Sequence, residues 1–173
     1  MKFIIATITT AFALSFSALA ADVSVKLTDV HLCCQGCVKG VTQAVEKIPG
    51  VSATVDSAAG SVSVNGPDAA SVQQAVNAIA LAGYFGNSSN PEIKITAATG
   101  AKGEKVQSLH IEGVHLCCGK CVKAANTALE SVAGVKANTA AKGAKSFEVT
   151  GDFNDQEVFA ALQKAGLNGK VGK

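Results

Sequence analysis

The sequence predicts an α+β protein made of two similar units in tandem, each an antiparallel sheet backed by two helices. Three observations support this fold class. The heptad HLCCQGC at residues 31–37 returns as HLCCGKC at residues 115–121, an offset of 84 residues that indicates an internal repeat. An apolar alternation typical of a half-buried strand precedes each heptad. An apolar stripe at three- and four-residue steps, typical of a helix, follows each heptad.

The chain opens with a segment that predicts export. Lys2 supplies a positive charge, an uncharged and mostly apolar run follows over residues 3–19, and Ala18-Leu19-Ala20 has the small-x-small pattern of a cleavage site. We therefore expect a signal peptide at residues 1–20, a mature chain from Ala21, no membrane span after cleavage, and a periplasmic or secreted protein. An uncleaved N-terminal anchor is the alternative.

The first unit follows the order βαββα. Alternation predicts a first strand over residues 23–28. A first helix is predicted from the apolar stripe Val38, Val41, Val45 and Ile48, and Pro49-Gly50 ends it. Two further strands are predicted at residues 51–55 and 62–64. A second helix is predicted from the stripe Val72, Val76, Ile79 and Ala80, with Gly83 as its terminator.

The second unit repeats these elements. Leu109 and Ile111 mark its first strand, and Gly166 follows its last helix. Its two helical stripes are Val122, Ala125, Leu129 and Val132, then Val158, Ala161, Leu162 and Ala165. With a closing strand whose pattern is weak, each unit has the βαββαβ order of a ferredoxin-like fold. We predict a first domain at residues 21–88, a linker at residues 89–104 and a second domain at residues 105–173.

Composition argues against two functional classes. The 173 residues carry a net charge of +2, and the basic side chains are all lysines spread along the chain. A nucleic-acid-binding protein usually clusters its basic residues and includes arginine, so we expect no nucleic-acid partner. The sequence shows no nucleophile–base pair, no paired carboxylates and no phosphate-binding loop, so it does not predict an enzyme.

The two heptads contain all six cysteines and two of the three histidines. Each heptad lies where a strand leads into a helix, so Cys37 and Cys121 fall in a first helical turn and Cys34 and Cys118 just before it. The N–H groups of a helix N-terminus favour thiolate over thiol, and thiolate is the form that binds metal. The spacing suits a soft ion held by sulfur. Disulfide bonding is the alternative in an oxidising compartment, and a Cys34–Cys37 bridge remains open as an oxidised form.

Both units resemble the heavy-metal-associated (HMA) domain of copper chaperones and of metal-pump N-terminal regions. That family carries Gly-Met-x-Cys-x-x-Cys at the first strand–helix junction, a later Gly-Val and a closing Ala-Gly-Tyr. HLCCQGC, IPGVSATVD and LAGYFG match this pattern in the first unit, and HLCCGKC matches it in the second. The resemblance implies that the metal-binding pairs are Cys34 with Cys37 and Cys118 with Cys121.

Both heptads depart from the family pattern in the same way. Leu32 and Leu116 stand at the Met position. His31 and His115 stand at the Gly position, and Cys33 and Cys117 at the variable one, so these four residues are candidate extra ligands. His110 has no counterpart in the first unit and is expected to point outward. Tyr84 is expected near the first metal loop, and Leu167 replaces it in the second unit.

We therefore predict an exported protein that binds Cu(I) first and Zn(II) second, through a CxxC pair in each domain, for metal delivery or sequestration. A Cys₃His set would suit zinc. The expected partners are the metal ion and another metal-binding protein or a metal pump. The alternative is an exported thiol–disulfide redox protein, because CxxC at a helix start is also the arrangement of thioredoxin.

Overall fold

The structure is a computed structural model that describes residues 22–96 and 98–173. The signal peptide expected at residues 1–20 lies outside the described residues. Within the described ranges, no helix combines the length and the hydropathy that a bilayer crossing requires.

The first unit contains four strands and two helices in the order βαββαβ. Its elements are β1 (Val23–Thr28), α1 (Gln35–Val45), β2 (Ser52–Asp56), β3 (Ser61–Gly66), α2 (Ala69–Leu81) and β4 (Asn87–Ser88). The strands lie in the order β2-β3-β1-β4 and every pairing is antiparallel. The weak closing strand of the sequence prediction is β4, a two-residue strand that pairs with the end of β1.

The second unit has the same order and topology. Its elements are β5 (Lys105–Glu112), α3 (Gly119–Glu130), β6 (Val135–Asn138), β7 (Ser146–Asn154), α4 (Asp155–Lys164) and β8 (Lys170–Val171). The strand order is β6-β7-β5-β8, again antiparallel throughout. The α+β class with two antiparallel sheets and four helices is therefore confirmed.

The apolar patterns account for the packing of each unit. In β1, Val25 and Leu27 are buried, while Ser24 and Lys26, which alternate with them along the strand, are exposed. The helix patterns differ in detail from the prediction. Helix α1 ends at Val45, so Ile48 lies beyond it, and α4 buries Phe159 while Ala161 is only partly buried. A buried aromatic side chain stabilises a core by about 1.5–3 kcal/mol, more than an alanine methyl group can.

The segment between the two sheets is held at both ends by side chains of the units. Gln73 of α2 bonds both the N–H and the carbonyl of Lys94, at 3.2 and 2.7 Å, and Ile93 is buried. Farther on, Asp155 at the start of α4 accepts N–H bonds of 2.8–3.0 Å from residues 102–104. Burial alone would raise the pKa of Asp155, but these N–H donors outweigh it and lower that pKa.

Candidate metal centre

Each heptad supplies the N-terminus of a helix. Cys34 and Cys118 are the N-cap residues of α1 and α3, both with extended backbone. Cys37 and Cys121 follow in the first turns and are fully buried. The expected positions at the helix starts are therefore observed. The complete burial of the second cysteine of each pair was not predicted, because both were expected in a first helical turn but outside the apolar stripe.

The structure brings the two heptads together. Sulfurs of the first unit lie 3.3–3.9 Å from sulfurs of the second, in the pairs Cys33–Cys118, Cys33–Cys121, Cys34–Cys117, Cys37–Cys117 and Cys37–Cys121. Within each unit, neighbouring sulfurs are 3.7–3.8 Å apart in the pairs Cys33–Cys37, Cys34–Cys37, Cys117–Cys121 and Cys118–Cys121. We call these six thiols the six-sulfur cluster. The sequence prediction placed one site in each domain, whereas here the cysteines of both units lie side by side.

A short backbone seam, residues 83–85 against residues 166–168, joins the two units beside the cluster. Tyr84 and Leu167 form an antiparallel bridge, the N–H of Asn168 donates to the carbonyl of Gly83 at 2.9 Å, and the N–H of Phe85 donates to Gly166 at 3.1 Å. The Gly166 carbonyl also accepts from the N–H of His31 at 3.2 Å. Backbone hydrogen bonds therefore fix the position of the first heptad relative to the second unit.

Two glycines make this close approach possible. Gly83 and Gly166 have φ angles of +94° and +75°, in the left-handed region that L side chains rarely adopt. A Cβ at Gly166 would lie 2.5 Å from the backbone of Asp29 and His31, and a Cβ at Gly83 would meet the backbone of Gly113 and His115. Each glycine thus lies against the strand end that leads into the heptad of the other unit.

Tyr84 connects the seam to both heptads. Its side chain is fully buried and its hydroxyl donates to the carbonyl of Cys37 at 3.1 Å. Its ring stacks on that of His115, with centroids 4.7 Å apart. Burial, followed by the nearby cysteines, raises the pKa of Tyr84, so the hydroxyl remains a hydrogen-bond donor. The predicted proximity of Tyr84 to the first heptad holds, and the tyrosine also contacts the second heptad.

The two heptad histidines have different surroundings. His31 lies with Cys33 and Cys121 in a group whose ligand atoms are within 4.8 Å of one another, whereas His115 faces Tyr84. The Nε2 atoms of both are buried without a hydrogen-bond partner among the described residues. Burial lowers the pKa of both histidines, which favours the neutral imidazole that binds metal. His110 lies outside this centre and bonds Glu148 at 2.6 Å.

Five of the thiols have pKa values that the surroundings shift, two downward and three upward. The backbone N–H of Cys121 and then the Cys33 side chain lower the pKa of Cys118 to about 6. The N–H of Cys37 and then the Cys117 side chain lower the pKa of Cys34. Burial raises the pKa of the more enclosed thiols Cys33, Cys117 and Cys121. The N-cap cysteines therefore ionise more readily than Cys33, Cys117 and Cys121, because helix N–H groups face them.

The seam is the part of the centre that sequence reasoning missed. Its residues carry a signal in the repeat, since Ala82-Gly83-Tyr84 in the first unit answers Ala165-Gly166-Leu167 in the second. Each glycine was interpreted as a helix terminator, which it also is. The position of each glycine in the sequence indicates that it ends a helix. It does not indicate that the same glycine also contacts the backbone of the other unit.

Known proteins resemble this chain. A family model described as "Heavy-metal-associated domain" matches residues 28–85. A copper-binding domain from HMA7, a P-type ATPase, is 17% identical with a TM-score of 0.37, and the match covers 39% of this chain and 96% of that one. The N-terminal soluble domains of Bacillus subtilis CopA are 17% identical with a TM-score of 0.31, covering 89% and 96%. The water-soluble region of the same ATPase gives 17% and 0.28, covering 88% and 93%.

Proposed function

We propose, from the match of residues 28–85 to the heavy-metal-associated domain model, that the chain is an exported protein that binds soft metal ions through the cysteines of both heptads. Cu(I) is the first choice of ion and Zn(II) the second. The role is delivery or sequestration of the metal rather than catalysis. The observation that carries the proposal is the six-sulfur cluster, in which thiols from both units lie within 3.3–3.9 Å of one another.

The spacing of the sulfurs supports metal binding. An ion that lies about 2.3 Å from each of three coplanar sulfurs needs those sulfurs about 4.0 Å apart. The close sulfur pairs are 3.3–3.9 Å apart, so the thiols need to move outward by only a few tenths of an ångström. Thiolate ligands favour Cu(I) and Zn(II) over hard cations.

The geometry of the ligand groups favours Cu(I) over Zn(II). The potential ligands of the cluster gather in groups of three, such as Cys34, Cys37 and Cys117 or Cys117, Cys118 and Cys121. Structural Zn(II) sites are almost always four-coordinate and tetrahedral. Three thiolates complete a trigonal Cu(I) site without a fourth ligand.

Export and partners complete the proposal. Residues 1–20 carry the charged start, apolar run and small-residue pattern of a signal peptide, which supports a periplasmic or secreted location. In that compartment the metal would be exchanged with another metal-binding protein or with a metal pump.

Metal analysis tests the proposal. We expect the mature protein, purified under reducing conditions and exposed to Cu(I) or Zn(II), to retain roughly one ion or more per unit, with copper preferred in competition. The variant Cys34→Ser with Cys118→Ser should retain less copper, and His110→Ala, which lies outside the centre, should match the wild type. Absence of bound metal together with disulfide reduction of insulin would replace this proposal with the redox alternative.

A further inference from the structure

We propose that the two heptads form one tetranuclear Cu(I) cluster, with four copper ions bridged by six thiolates, rather than one ion in each unit. This inference rests on the proposed function and adds to it the number of ions and the way in which they share ligands.

The six sulfurs have the connectivity of an octahedron. Nine sulfur pairs are 3.3–3.9 Å apart. Three more pairs lie within 4.8 Å, namely Cys33–Cys34, Cys34–Cys118 and Cys117–Cys118. Each sulfur then has four near neighbours, and the three pairs outside this set of twelve are Cys33 with Cys117, Cys34 with Cys121 and Cys37 with Cys118. Six points connected in this way are the vertices of an octahedron.

An octahedron of sulfurs offers four trigonal sites that can be filled together. Alternate faces of an octahedron share corners but no edges. An ion on each of the four alternate faces is therefore bound by three sulfurs. Because each sulfur belongs to two of these faces, every sulfur bridges two ions. One such set consists of four faces, namely Cys33–Cys34–Cys118, Cys33–Cys37–Cys121, Cys34–Cys37–Cys117 and Cys117–Cys118–Cys121. Three of these four faces take sulfurs from both units, so neither unit can build the cluster alone.

The same arrangement disfavours zinc. A tetrahedral Zn(II) site made only of thiolates needs four sulfurs that are all neighbours of one another. Any four vertices of an octahedron include at least one opposite pair, so no four of these sulfurs meet that requirement. A Cys₃His zinc site would instead need His31, which lies beside Cys33 and Cys121. Trigonal coordination by bridging thiolates is accessible to Cu(I), a soft ion that thiolates select.

The charge of the filled cluster is small and is partly offset by the fold. Starting from thiols, loading releases six protons, forms Cu–S bonds without any change in oxidation state, and leaves a net charge of 2−. Helices α1 and α3 both begin at the cluster. Each presents roughly half a positive charge at its N-terminus, and Cys37 and Cys121 are shielded from water.

Copper titration of the mature protein tests the inference. Under anaerobic and reducing conditions, Cu(I) alone is added and the bound ions are counted by native mass spectrometry. We expect all-or-none filling, with protein carrying no copper and protein carrying four ions as the main species. X-ray absorption should show copper neighbours about 2.7 Å apart, two-thirds of a sulfur–sulfur edge of about 4.0 Å.

The opposite results are distinct. Filling that stops at two ions, one after the other and without copper–copper neighbours, would overturn the cluster and leave the proposed function standing. A protein that binds no Cu(I) would overturn the cluster, and one that also binds no Zn(II) in a parallel titration would overturn the proposed function as well.

Variants at a bridging cysteine provide the second test. Cys33 belongs to two of the four faces, so Cys33→Ser should remove the four-ion species although both CxxC pairs remain. Cys117→Ser, its counterpart in the second unit, should do the same and covers the case in which the first variant misfolds. His110→Ala is the control and should load four ions. Four-ion loading in a folded Cys33→Ser or Cys117→Ser variant would contradict the shared cluster.

Discussion

Gly166→Ala measures how much the seam contributes to stability, and Gly143→Ala is its matched control. Both glycines have a left-handed backbone, with φ of +75° and +79°, so alanine costs about 1–2 kcal/mol of backbone strain at either position. A Cβ at Gly143 meets nothing within 4 Å, whereas a Cβ at Gly166 lies 2.5 Å from the backbone of Asp29 and His31. The two variants therefore share the strain and differ in the contact between units.

The extra cost at Gly166 follows from the hydrogen bonds that the displaced backbone would lose. Its carbonyl accepts from His31 at 3.2 Å and from Phe85 at 3.1 Å, and a hydrogen bond contributes about 0.5–1.5 kcal/mol. We expect a total loss of about 2–5 kcal/mol for Gly166→Ala against about 1–2 kcal/mol for Gly143→Ala.

Urea denaturation followed by circular dichroism measures both losses as free energies of unfolding. Copper loading of the folded variants provides a second readout, in which only Gly166→Ala should lose the four-ion species. Equal destabilisation of the two variants, within about 0.5 kcal/mol, would show that the seam does not hold the units together.

Three further changes test other contacts. Tyr84→Phe removes the buried bond to the Cys37 carbonyl at 3.1 Å and should cost about 0.5–1.5 kcal/mol in urea denaturation; unchanged stability would contradict this role. Asp155→Asn weakens three N–H bonds to a carboxylate and should cost about 1.5–3 kcal/mol at neutral pH. Because the folded pKa of this carboxyl is lowered, its contribution is complete above an unfolded pKa of about 3.9 and is lost as the pH falls through the lower folded value. Stability curves of wild type and variant should therefore converge in acid, and parallel curves would contradict the assignment. His31→Ala should weaken Cu(I) affinity about tenfold in a competition assay, because His31 lies beside the ligands Cys33 and Cys121 and supports them as an outer-shell residue. His115→Ala should mainly lose about 0.5–1.5 kcal/mol of ring stacking. Equal copper affinities of the two variants would count against this supporting role of His31.

Local patterns in the sequence were sufficient to predict the elements of each unit. The alternation around Val25 and Leu27 reports which face of β1 is buried, because side chains alternate along a strand. The closing strands were weak predictions because β4 and β8 have two residues each, too few to show a period.

The joining of the heptads could not be predicted in the same way. It depends on backbone at Gly83 and Gly166 meeting the strand ends of the opposite unit, a match between surfaces far apart in the chain. Periodicity reports which face of an element is buried but not which unit buries it. The octahedral arrangement of the sulfurs follows from that docking, so six cysteines were visible in the sequence while their common position was not.

The segment between the two sheets is anchored to α2 through Gln73 and to α4 through Asp155. A short anchored tether keeps two binding surfaces at an effective concentration in the millimolar range. Assembly of the thiols is therefore unimolecular, so dilution does not separate them as it would separate a dimer of single units. On the proposed function, an acceptor would have to reach the buried Cys37 and Cys121, so the rate of metal release would depend on local opening of this protein as well as on the acceptor's affinity.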